Sequence, residues 1–142
     1  MLKKRVIFTL LFDGEDFVLS RNFRIQKIGN ISWLKKNYNF AHVAFSVDEI
    51  VIINVDRGER NLEVFCETVH SLAGECFVPV CAGGGIKTIE DAKALIRSGA
   101  DKILINTSLT DNRKLVDELV DELGSQCVVA SIDVKWSDGV YE

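Results

Sequence analysis

The chain has 142 residues, and its 47% hydrophobic and 27% charged content is that of a globular domain able to bury a core, which excludes a disordered or membrane-embedded chain. A formal charge of −4 argues against nucleic acid or an anionic membrane as partner, because phosphate backbones are held by clustered Lys and Arg; a small anion in a local pocket stays open. No apolar run approaches the roughly 20 residues of a spanning helix, and Met1-Leu2-Lys3-Lys4-Arg5 leads straight into a strand-like run, so a cytoplasmic protein is expected.

Val6 to Phe12 is a nearly continuous apolar run, the pattern of a strand buried on both faces of a parallel sheet. Asp13-Gly14-Glu15-Asp16 ends it, and Phe17 to Phe23 suggests an excursion or hairpin on that loop. A short helix is predicted over Ile31 to Tyr38, whereas Asn39 to Ser46 shows no assignable pattern. Asp48 to Asp56 reads as the second buried strand. Leu62, Phe65, Cys66, Val69 and Leu72 then recur at helical spacing before the stop signal Gly74. The third strand is predicted over Phe77 to Ala82. Three glycines follow, and Thr88-Ile89-Glu90-Asp91 opens a helix with a capping-box pattern that Gly99 closes. Ile103 to Asn106 is the fourth strand, Asp111 to Leu123 an amphipathic helix, and Val128 to Asp133 the fifth strand.

Strands recurring about every 25 residues with helices between them mean repeated βα units and a parallel sheet. Two architectures fit: a doubly wound open sheet, and a (β/α)8 barrel, which needs about 250 residues. Length and periodicity alone favour the open sheet.

The polar residues gather at the carboxyl ends of the strands: Asp13, Asn54 with Asp56, Gly83 to Gly85, Asn106 with Thr107, and Asp133 with Lys135. Ligands of parallel α/β proteins bind at that end, where loops converge and helix N-termini aim N–H groups at them. Gly83 to Gly85 and Asn106-Thr107-Ser108 together suit one phosphate; the alternative is that the glycines only make a tight turn and Asn106 only caps. Asp133 ends an otherwise apolar strand and is a candidate general acid or base, with a purely structural role as the alternative. Asn54 and Ser131 could orient a substrate. At the amino ends, Arg5, Glu49 and Lys102 each precede an apolar run, as solvated salt bridges or as a polar ring at the bottom of a barrel. Cys66, Cys76, Cys81 and Cys127 lack paired spacing and read as buried thiols; His42 and His70 do not complete a zinc site. No metal or cofactor is expected.

Taken together, Lys4-Arg5-Val6-Ile7, Asp13-Gly14, Asn22-Phe23, Asp48-Glu49, Ala82-Gly83-Gly84-Gly85-Ile86, Ser98-Gly99-Ala100-Asp101-Lys102, Ile105-Asn106-Thr107 and the run from Gly124 to Lys135 are specific. Across nearly its whole length the chain resembles the amino-terminal half of the cyclase subunit of imidazole glycerol phosphate synthase, the HisF family. The resemblance implies a (β/α)8 barrel of TIM type. Residues 1–142 would then be a single incomplete barrel domain, a half barrel of about four βα units plus a fifth strand. It also implies ammonia-dependent cyclisation of a bis-phosphorylated ribotide in histidine biosynthesis, with a glutaminase subunit on the amino-terminal face and ammonia passing through the barrel. By position, Gly85, Asn106 and Thr107 match phosphate ligands, Asp133 a catalytic aspartate, and Arg5, Glu49 and Lys102 the ammonia gate; Asp101 would face the glutaminase.

The chain departs from the family where a second catalytic aspartate ends strand one. Leu11 stands there, and a leucine transfers no proton, so shared acid–base chemistry is lost unless Asp13 takes the role. Asn54 replaces an acidic residue, and Leu19 takes the place of a lysine of the first loop. These changes resemble divergent paralogues that deliver ammonia for amidation of surface sugars. A non-catalytic phosphate-binding half barrel is the remaining alternative. Open barrel edges predict homodimers or aggregation of the isolated chain.

Overall fold

The computed structural model describes residues 3–21, 24–43 and 45–141, with the backbone only for Phe40 and Ala41; Asn22-Phe23 of the resemblance lie outside the described residues. Strand β1 (Ile7–Asp13) turns through Gly14 into a hairpin of β2 (Asp16–Arg21) and β3 (Arg24–Gly29). Helix α1 (Ile31–Asn37) starts at Asn30, whose side chain accepts from the Trp33 N–H, and a short turn of helix, α2 (Phe40–Val43), fills the stretch that lacked a pattern. Next come β4 (Glu49–Asn54), α3 (Leu62–Ala73) and β5 (Val80–Gly83). Helix α4 (Ile89–Arg97) and strand β6 (Lys102–Ile105) follow.

A turn of helix not expected from the sequence, α5 (Ser108–Asp111), precedes the helix expected over 111–123, which is observed as α6 (Arg113–Leu123), starting two residues later. Asn112 separates them and caps the second by accepting from the Leu115 N–H. Strand β7 (Val128–Ala130) is shorter than expected, and a small hairpin of β8 (Trp136–Ser137) and β9 (Val140–Tyr141) comes after it. Strand β5 starts later than predicted, at Val80, directly after Pro79, which has no N–H to give to a ladder.

Strands β1, β4, β5, β6 and β7 lie side by side in sequence order, all parallel. That order decides the architecture. A doubly wound sheet reverses direction at a switch point so that helices cover both faces, whereas strands laid down in one continuous direction with right-handed crossovers put every helix on the same side. The core agrees: Leu10, Phe12, Ile50, Ile52, Val80, Ala82, Ile103 and Ile105 pack with Phe65, Val69, Leu72, Leu95, Leu115 and Leu119 of the helices. This is half of a (β/α)8 barrel.

Because side chains alternate along a strand, the residues between those core positions face the barrel interior. The register places Leu11, Ile53, Gly83 and Leu104 in one row, and Thr9, Val51, Cys81 and Lys102 in the row beneath, toward the amino ends. The upper row meets the loops at the carboxyl ends, and the lower row adjoins Glu49. Among the described residues, no helix is long and apolar enough to cross a membrane.

Candidate functional site

At the carboxyl ends of the strands a cavity of 680 Å³ is lined by Leu11 and Ile53 of the upper row, by Gly84, Gly85 and Lys87 after β5, by Asn106, Thr107 and Ser108 after β6, and by Asp133 beyond β7. Gly85, Asn106, Thr107 and Asp133, named from sequence, are therefore brought to one place. Asn106 donates from Nδ2 to an Asp133 carboxylate oxygen at 3.0 Å. The amide thus orients that carboxylate and keeps its second N–H for another acceptor. Thr107 makes no side-chain capping bond, and it is exposed at the cavity.

The three glycines divide by role. A side chain on Gly83 would collide with the Leu104 carbonyl of β6, and one on Gly84 with the Asn54 backbone of β4. These two let neighbouring strands and loop close up, the plain turn-making alternative. Gly85, at φ +77°, is exposed to the cavity, and the side chain that a Cβ there would meet is Arg60. Immediately after it, Thr88 and Asp91 form a reciprocal capping box: Thr88 Oγ1 accepts from the Asp91 N–H at 3.1 Å, and one Asp91 oxygen accepts from the N–H groups of Thr88 and Lys87, both at 2.9 Å. That arrangement locks the turn bearing Gly85 to the start of α4.

Asn54 is buried, and its side-chain oxygen accepts from the Asp56 N–H at 3.0 Å, so it organises the following loop as well as lining the cavity. Leu11 stands in the wall, as the sequence implies; Asp13 does not line it. Arg60, Lys87, Asp111 and Asn112 do, and sequence reasoning passed over them. Arg60 belongs to a charged loop, residues 57–60, of the kind that usually is only a solvated surface.

At the amino ends Glu49 is only 4% exposed. Arg5 donates to its Oε2 at 2.6 Å, and the Lys102 ammonium reaches both oxygens at 3.0 Å. A carboxylate this deeply buried needs such partners, so the cluster is more than a solvated surface pair. Cys81, next to Lys102 in the sheet, has its thiol pushed up to about 12, first by burial and then by Glu49, with Lys102 opposing. On the same face Asp101 accepts from the Val80 N–H at 2.8 Å, which ties the start of β5 to that of β6. Among the described residues no set of His, Cys, Asp and Glu is placed to hold a metal ion.

A family described as "Histidine biosynthesis protein" matches residues 26–142. The putative imidazole glycerol phosphate synthase subunit hisF2 of Parasynechococcus marenigrum (strain WH8102) is 43% identical over 142 residues, 100% of this chain and 53% of the relative. The imidazole glycerol phosphate synthase subunit HisF of Dictyoglomus turgidum is 39% identical over 136 residues, 95% of this chain and 52% of the relative. A second putative hisF2 subunit, from Campylobacter jejuni, is 38% identical over 136 residues, covering 95% of this chain and 53% of the relative. The chain spans about half the length of the curated relatives it matches.

Proposed function

We propose, from the premise that this chain belongs to the histidine biosynthesis protein family and is HisF-like, that it forms the phosphate-gripping and ammonia-admitting part of a cyclase subunit of imidazole glycerol phosphate synthase. One observation carries this reading. The same parallel strands hold a buried Glu49 pinned by Arg5 and Lys102 at one end, and the cavity of Gly85, Asn106, Thr107 and Asp133 at the other.

A glutaminase would sit on the amino-terminal face, beside Asp101. Phe45 and Phe77, in the loops leading into β4 and β5, are 89% and 91% exposed, and large apolar side chains displayed beside a charged cluster suit burial by a partner. Ammonia released there would pass the Arg5, Glu49 and Lys102 cluster and travel along the inward-facing Val51, Ile53 and Leu104, an apolar route that favours a neutral molecule over an ion. At the top it meets the phosphorylated substrate, with the Asn106-oriented Asp133 carboxylate as proton carrier.

Leu11 in the cavity wall favours a second reading, in which the barrel delivers ammonia to another acceptor, such as a surface sugar, without cyclisation. Turnover of the bis-phosphorylated ribotide with ammonium salt in place of glutamine separates the two. Measurable cyclisation supports the first. A folded protein that binds the phosphate and stimulates its glutaminase without measurable cyclisation supports the second, and Leu11→Asp should then bring cyclisation into the measurable range, since a positioned acid or base contributes on the order of 100-fold. Glutaminase stimulation that survives Lys102→Glu would remove the gate from either account.

A further inference from the structure

The cavity contains a cation whose place is set by its own loop. Between β4 and α3, the Asn54 side chain accepts from the Asp56 N–H at 3.0 Å, the Asp56 side chain accepts from the Gly58 N–H at 2.8 Å, and Arg60 Nε donates to the Asp56 carbonyl at 2.9 Å. These bonds curl residues 54–60 back on themselves. They lay the guanidinium against Gly85, where any side chain would collide with it. Only Nε is engaged in that tether. Among the described residues no carboxylate pairs with Arg60, and Arg60 lines the same cavity as Asn106 and Thr107.

Charge shows what is missing without it. Backbone N–H groups, the Asn106 amide and the Thr107 hydroxyl are neutral, while Asp111 and Asp133 share the cavity, so a dianion on Gly85, Asn106 and Thr107 would face two carboxylates. Lys87 is the other cation among the described residues of the lining. It offers a point charge, whereas a guanidinium offers a planar fork that matches two oxygens of one phosphate.

We propose that Arg60 is the charge-bearing ligand of the phosphate site, closing over Gly85 to favour the dianion of a phosphate monoester, by charge, over a monoanion that fits the same fork. This rests on the reading that Gly85, Asn106 and Thr107 hold phosphate.

Calorimetric titration with inorganic phosphate, ribose 5-phosphate and acetate tests it, on the unaltered protein and on Arg60→Ala, Arg60→Lys and Asn106→Leu, each at two salt concentrations. Arg60→Ala should weaken both phosphates about 10- to 100-fold, flatten their salt dependence and weaken the singly charged acetate by less than either phosphate. Arg60→Lys should restore the salt dependence but only part of the affinity. Loss of phosphate binding in Asn106→Leu with no change in Arg60→Ala overturns the role of Arg60 and leaves the site standing. Absence of phosphate binding in the unaltered protein overturns the site and Arg60 with it.

Discussion

Cys81 carries the effect of burial on a single titratable group. It stands on the inner row beside Lys102, two residues up the inner face from the level of Glu49, and its thiol is pushed up to about 12, while Cys76, buried behind α3, is pushed up to about 11. Both thiols stay protonated at neutral pH and are poor nucleophiles there. Their burial was legible from their apolar surroundings, whereas Cys66 and Cys127 are only half-buried. In the unfolded chain the Cys81 thiol titrates near 9.0. Between that value and about 12 the folded state still holds a proton that the unfolded state has lost. The stabilising contribution is therefore complete below pH 9 and drains away as pH rises through that window. Urea midpoints of the native protein should fall more steeply between pH 9 and pH 11 than those of Cys81→Ala. Parallel slopes would mean that the thiol is already exposed. The glycines at the same scale were only partly legible: the sequence marks three residues of special backbone, but only the fold separates Gly83 and Gly84, which admit neighbouring backbone, from Gly85, which admits Arg60.

Helices with clear boundary chemistry were readable as elements. Thr88 and Asp91 form the expected box, and the face of α6 carrying Leu115 and Leu119 is buried as its spacing requires. The turn α5 was not readable, because its four residues show no period of their own before the cap at Asn112. Likewise α2 has four residues, too few to display a period. The capping box is the element-scale feature nearest the site, since it fixes the turn from Gly85 into α4. Thr88→Ala should lower stability by about 1 kcal/mol, read from urea denaturation, and Thr88→Ser should recover most of it. Asp91→Ala should cost at least as much, because its carboxylate accepts from two N–H groups, those of Lys87 and Thr88. If Asp91→Ala matched the native protein, the turn would be held by packing of Ile86 and Ala92 alone.

The periodicity announces βα units but contains no record of which strand neighbours which, so length alone favours an open sheet; the family resemblance and the observed strand order point instead to a barrel. That order also fixes which surfaces this chain of 142 residues leaves uncovered. Hairpin strand β2 pairs with β1 only along Leu11 to Asp13, so the half of β1 that begins at the exposed Ile7 has β4 on one side and no strand on the other among the described residues. At the far side β7 pairs, among the described residues, with β6 alone. The segment after it exposes Ile132, Val134 and Trp136. Unsatisfied strand edges next to an apolar inner face are templates for pairing, and two such halves related by a two-fold axis could bury both edges at once. Sedimentation of this chain on its own should therefore show dimers or larger species whose fraction grows with concentration, and Val129→Lys, which puts a charge on the inner row beside Leu104, should shift the distribution toward monomer. A sharp monomer boundary at all concentrations up to about 100 μM, a range in which exposed edges ordinarily associate, would show that these edges are satisfied within the chain.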